Sequence, residues 1–357
     1  MAKINVRSPH YITTGVVAGL NSTSIEIYVY TGTQAAGAAN NSRPTTPTYN
    51  LEGFAVNNEV TFEISELVKD YISQAYTEID YSTEILWIDY RTTETINGVK
   101  QNQSAFIQLT AFNGYGYFED GANPTNSSKL LQTNTDIFLP AANGSSYDRV
   151  KIPVDTSLTR DVRFLNAAGT TLETVTTLSN IVSTTQVAYV TGTSDVIASA
   201  IISGNGADIT VQINRVTECK YTQRKLTFVN KFGALQYIWF NKKSTETLTT
   251  KKEEFKRNIV SGATYSTLKH QNAILTKNGN EKITLNSGYY PESFNEVFKQ
   301  MELSDLVWIT EGVKPSPVTR PVTITSSSLA FKTQLNDKLI NYTIEVEYSN
   351  NTINNIR

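Results

Sequence analysis

Between residues 342 and 348, apolar and polar side chains alternate one for one. Tyr342, Ile344, Val346 and Tyr348 fall on one side, and Thr343, Glu345 and Glu347 on the other. A helix would scatter both sets around its circumference, so this period-two pattern predicts a strand with one buried and one wet face. Near the start of the chain the pattern recurs, with Ile25, Ile27 and Val29 interleaved with Glu26, Tyr28 and Tyr30. It resumes at Val60, Phe62 and Ile64. Residues that tolerate positive φ separate such runs. Asn97-Gly98 lies between EILWIDY and AFIQLTAF, and Ala167-Ala168-Gly169 between DVRFLN and TLETVTTL. Asn230-Lys231-Phe232-Gly233 joins KLTFVN to LQYIWF, and Asn278-Gly279-Asn280 marks a further hairpin. Each reads as a reversal between paired strands. Helical spacing is confined to two places. One is the run Ile64, Leu67, Val68, Tyr71, Ile72 and Ala75; the other opens at Pro291 and carries Phe294, Val297, Phe298 and Met301. The fold class is therefore mainly β, built as two to three β-sandwich-like domains with a few short helices.

With 357 residues the chain exceeds the roughly 250–300 at which a single core stops growing. A Gly/Asn/Pro-rich stretch without periodicity at 121–128 divides an N-terminal β-sandwich with one helix, 1–122, from a middle Thr/Ser-rich β domain, 123–215. A C-terminal β domain with one helix follows, 216–357. Charged residues make up 18%, against about 25% in ordinary domains. Thr, Ser, Asn and 19 Tyr take their place, a composition suited to pleated, half-buried surfaces. A net charge of −2 sets up no field for nucleic acid, so no nucleic-acid partner is expected. No run reaches the ~18 apolar residues of a membrane span, and none is expected to enter a bilayer. Cys219 is the single cysteine, so no intramolecular disulfide can form. MAKINVRSPH lacks a following apolar stretch, and the chain reads as one made in a reducing cytoplasm.

Chemistry-bearing constellations are absent from the pattern. His10 and His270 are isolated in sequence, and no serine sits in a G-x-S-x-G turn. Cys219 precedes Lys220, Arg224 and Lys225, which could lower its pKa, but a small apolar residue at a strand start accounts for it. Glu119-Asp120 offers two carboxylates to a calcium ion without the spaced oxygens of a calcium loop, and reads as an acidic turn. Glu345 and Glu347, and the adjacent Glu253 and Glu254, lack surroundings that would set two carboxyl pKa values apart. Gly114-Tyr-Gly116 lacks the third glycine and the helix of a dinucleotide loop. Lys242, Lys243, Lys251, Lys252, Lys256 and Arg257 form a basic cluster interrupted by Glu253 and Glu254, which reads as a subunit contact or solvated edge. No catalytic residue, no cofactor and no metal ligand is assigned, and the chain is read as a non-enzyme.

Several runs carry a resemblance: SPHYI, FEISELVKDYI, WIDYR, YGYFEDGANP, CKYTQRKLTFVNKFGALQYIWF and LINYTIEVEYSNNTINNIR. They are similar to runs in virion structural proteins of tailed bacteriophages, particularly those of marine and Bacteroidetes hosts. The likeness covers the first and third segments and contains no catalytic motif. It implies stacked β modules in a tail, baseplate or neck assembly, with copies of itself and other virion proteins as partners, and a virion location. A homo-oligomer is expected. The alternative is a host-surface or glycan-binding adhesin using the rings of WIDYR or GYGYF; a depolymerase ranks below it.

LQYIWF is apolar on both faces. Phe228, Tyr237 and Trp239 are expected to pack on the helix at 294–301, leaving Ile238 and Phe240 to be covered by another subunit. The predicted interface is therefore Phe228, Phe232, Ile238, Trp239, Phe240, Lys242 and Lys243.

Overall fold

In the computed structural model, the described residues are 2–32, 42–72, 76, 85–125, 128–141, 149–177, 187–218, 220–311, 317–326 and 339–353. They are mainly β, arranged in several sheets with no closed barrel among them. No helix among them is long and apolar enough to cross a membrane.

The N-terminal sheet has the order Ala2–Asn5, Ile107–Phe112, Leu86–Ile96, Leu20–Tyr30, Tyr49–Phe54, with Val99–Lys100 as a short appendage. Ile25, Ile27 and Val29 point into a core shared with Ile88, Leu109 and Ala111, as the alternation requires. The opposite face buries Tyr28, Tyr30 and Trp87. Asn97 and Gly98 both take positive φ, 50° and 78°, and close the expected hairpin. The short pair Tyr11–Thr13 and Thr61–Glu63 lays Ile12 and Phe62 over this core.

The periodic run from Ile64 gives a helix of only five residues, Ser65–Lys69. Its N-cap, Ile64, has no side chain to accept the orphan N–H groups. Helices this short depend on tertiary packing, and here, of the apolar run, only Ile64 and Val68 are fully buried. Tyr71 and Ile72 continue as tight turns onto the carbonyls of Val68 and Lys69, and Ala75 lies outside the described residues.

In the middle of the chain, a five-stranded sheet runs Thr171–Thr177, Arg160–Leu165, Ser199–Ser203, Ile209–Val216, Asp136–Pro140. A two-stranded sheet pairs Val150–Asp155 with Val187–Gly192. Ile152, Val154 and Val190 of the smaller sheet share one core with Val162, Phe164, Ile202 and Val211 of the larger.

The C-terminal sheet has seven strands in the order Leu235–Phe240, Arg224–Val229, Val307–Glu311, Val318–Ile324, Leu339–Tyr348, Asn272–Pro291, Thr245–Lys256. It curls around the helix Asn295–Glu302, so that Ile238 near one end and Ile283 near the other reach the same core as Val297, Phe298 and Met301. Pro291 ends the long strand and leads through a short turn, Glu292–Phe294, into this helix.

Two expectations are corrected here. Asn278-Gly279-Asn280 is not a turn: the three residues lie inside the 20-residue strand Asn272–Pro291, opposite Lys251, Thr250 and Thr249. The reversal falls at 261–264, where Gly262 takes φ 63°. Continuous pairing with the neighbouring strand outweighs the local turn preference of Asn-Gly.

The second correction concerns the hairpin 224–240. Phe228, Ile238 and Phe240 share one face and pack on the helix; Tyr237 and Trp239 occupy the other. Register explains this grouping, because Leu226 opposes Ile238 and Lys225 opposes Trp239. That other face is covered by the chain's own middle core, where Trp239 is buried beside Ile213 and its neighbours. The turn reaches a third group: Ala234 and Phe232 pack with Ile85, Phe112, Leu131 and Val187. One hairpin thus touches all three parts of the chain, and its apolar side chains pack within the chain itself.

Candidate functional site

The predicted interface residues do not form a surface. Phe228, Ile238, Trp239 and Phe240 are buried and Phe232 is half-buried. Lys243 is exposed, while Lys242 lies 2.8 Å from Glu218, which holds its ammonium above and the carboxyl below their ordinary pKa values. Asn230 locks the turn from inside, donating to the Leu131 carbonyl at 2.8 Å and accepting from the N–H groups of Phe232 and Ala234.

The glycan candidates are similarly occupied. Trp87 is buried and donates its indole N–H to the Gly32 carbonyl at 2.9 Å. Tyr90 is buried too, Asp89 pairs with Arg43 at 3.0 Å, and Arg91 with Glu26 at 2.6 Å. In GYGYF, Tyr115 is buried and Tyr117 bonds to Glu296, but Phe118 is 97% exposed. Asp120 accepts the Tyr117 main-chain N–H at 2.8 Å, which is what an acidic turn does. Among the described residues no three His, Cys, Asp or Glu side chains gather as a metal site would need. Cys219 lies outside the described residues.

The histidines are placed apart. His10 is partly buried and its main-chain N–H donates to Glu63 at 3.2 Å; burial pushes its pKa down, with Glu63 opposing the shift. His270 is exposed. Glu347 pairs with Asn280 and Lys282, which lower its pKa.

What stands out instead is the segment around the basic cluster, read from sequence as a subunit contact or solvated edge. Thr245–Lys256 is a 12-residue strand, every residue exposed, at the edge of the seven-stranded sheet. Thr at 245, 247, 249 and 250 favours the extended form, and this was the signal available in the sequence. Its partner, Asn272–Pro291, also pairs with Leu339–Tyr348, but only from Lys282 onward. Beyond that point, among the described residues, the two strands pair only with each other, as a ribbon. At its base, Thr352 donates to the Gly279 carbonyl at 2.8 Å and Asn278 donates to that of Ile353 at 3.2 Å.

Throughout 245–277 only Ile259 and Ala273 are even half-buried. Exposed apolar side chains include Leu248, Phe255, Tyr265, Leu268 and Leu275, the Leu268 side chain at 91%. Arg257 ties the far end together, with its main-chain N–H on Gln271 and its guanidinium on the His270 carbonyl at 3.0 Å. A bulge at Leu275 interrupts the inner strand, where Glu253 opposes Thr276 and Glu254 opposes Ile274; the outer strand is unbroken. Lys252 stands directly opposite Lys277, an unfavourable like-charge pair, and is partly offset by Glu254 at 2.6 Å.

No protein-family model matches this chain, and no curated protein is significantly similar to it.

Proposed function

We propose that this chain is a non-enzymatic structural subunit of a phage virion, in the tail, baseplate or neck, acting through contacts with copies of itself and with other virion proteins. The observation that carries the reading is the exposed β-arm, 245–277. A two-stranded ribbon is marginally stable alone in water, and one bearing this many exposed apolar side chains is suited to being covered by another protein surface. His10 lies beside Glu63 and His270 in the exposed arm, and Glu347 is held by Asn280 and Lys282, an arrangement that suits a role without catalysis. The resemblance in sequence supplies the virion context.

Mass spectrometry of density-banded particles, made by the genome that encodes the chain, tests this. Peptides of the chain should co-band with capsid and tail proteins at a fixed ratio. A chain abundant in the lysate but missing from banded particles would overturn the proposal.

A further inference from the structure

We infer that the outer edge of strand Thr245–Lys256 pairs with the same strand of a second copy, antiparallel about a two-fold axis, so that two ribbons join as one four-stranded sheet. The inference rests on the reading of the chain as an assembly subunit and names one of its contacts.

Three observations lead to it. The strand is a long, regular sheet edge with no proline or glycine, and the bulge sits on its neighbour, so a row of main-chain donors and acceptors faces outward. Its central charges read Lys251-Lys252-Glu253-Glu254, a sequence that is complementary to itself when reversed. In an antiparallel pair related by a perpendicular two-fold axis, one residue meets its own copy at the axis. If that residue is Lys252, each Lys251 faces the partner's Glu253. If it is Glu253, each Lys252 faces the partner's Glu254. Either register forms two opposite-charge pairs, and the like pair on the axis gains a diagonal neighbour of opposite sign. An acidic neighbour near Lys252 also relieves its opposition to Lys277.

The third observation is size and overall charge. All but two residues of 245–277 are exposed, so the roughly 20–30 a side of a standard interface need only part of the arm. The arm holds six cations, Lys251, Lys252, Lys256, Arg257, Lys269 and Lys277, against Glu246, Glu253 and Glu254. The rest of the chain then carries 25 cations against 30 carboxylates, from totals of 31 and 33. The arm is thus net basic and the rest of the chain net acidic.

Charge exchange tests the contact without disturbing any core, since all four residues are exposed. One full-length variant carries Glu253→Lys and Glu254→Lys, and a second carries Lys251→Glu and Lys252→Glu. By analytical ultracentrifugation the natural chain should show a concentration-dependent dimer. Each variant alone should dimerise at least about tenfold more weakly with melting little changed. Mixed at equal concentration, the two should recover a dimer containing one of each. A natural chain that stays monomeric at its highest soluble concentration overturns the inference, and the lysines then serve only to keep the edge unpaired. Variants that dimerise like the natural chain also overturn it. Detection of a monomeric chain in banded particles would reject this contact while leaving the virion reading intact. A charge-dependent dimer missing from particles would do the reverse.

Discussion

The hydroxyl of Tyr290 donates to the main-chain carbonyl of Trp239 across 2.6 Å, with both side chains buried. Leu235–Phe240 is an edge strand of its sheet, and this tyrosine from the long strand supplies a donor there. Burial holds the phenol above its ordinary pKa, so it remains a donor in alkaline solution. Replacing Tyr290 with Phe keeps the ring contacts with Phe138, Phe294 and Phe298 but leaves a buried carbonyl without this partner. Urea denaturation should show a loss of about 1–3 kcal/mol.

Phe240 is buried in the core around the helix Asn295–Glu302, with its ring centre 6.4 Å from that of Phe298. Truncation to Ala should cost about 3–5 kcal/mol of stability by urea denaturation. Because the side chain faces the chain's own core, the mass by light scattering should match that of the natural protein wherever the variant is folded. A change of association state at unchanged stability would return Phe240 to an interface.

Gly233 and Gly98 both take positive φ, 76° and 78°, but in different surroundings. A Cβ on Gly233 would lie 2.9 Å from the main-chain nitrogen of Asn113, whereas one on Gly98 would meet nothing within 4 Å. Gly98→Ala should therefore lose only the left-handed strain, about 1–2 kcal/mol. Gly233→Ala adds a backbone clash and should lose about 1–3 kcal/mol more. Thermal melts of the two variants side by side measure the difference.

His10 has a pKa lowered from 6.5 chiefly by burial. The unfolded chain binds this proton more tightly than the folded one, so protonation favours unfolding. The contribution is fully present above 6.5 and is lost as pH falls to and through the depressed folded value. A His10→Gln variant should accordingly show a flatter fall in melting temperature between about pH 7 and pH 5 than the natural chain. Parallel curves would show that other groups govern that range.

Local chemistry alone determined most of the strands. Alternation at Ile25–Val29 and at Tyr342–Tyr348 places one set of side chains in a core because successive Cβ atoms point to opposite faces whatever the rest of the chain does. Asn97-Gly98 and the turn at Gly233 close hairpins because positive φ is a property of those residues. Tertiary structure decided the rest. Asn278-Gly279 carries the same turn signal, yet it stays extended because Thr245–Lys256 lies alongside and pairs with it. No property of LQYIWF says what covers its second face; the middle core brings Ile213 and its neighbours to Trp239 through pairings between residues far apart in the chain. The basic cluster at 242–257 could be read as a solvated edge or contact, but its shape as an arm could not, for the same reason. A Thr-rich charge run becomes an exposed edge strand only once the other strands of its sheet have found their places, leaving one side of 245–256 without a paired strand among the described residues.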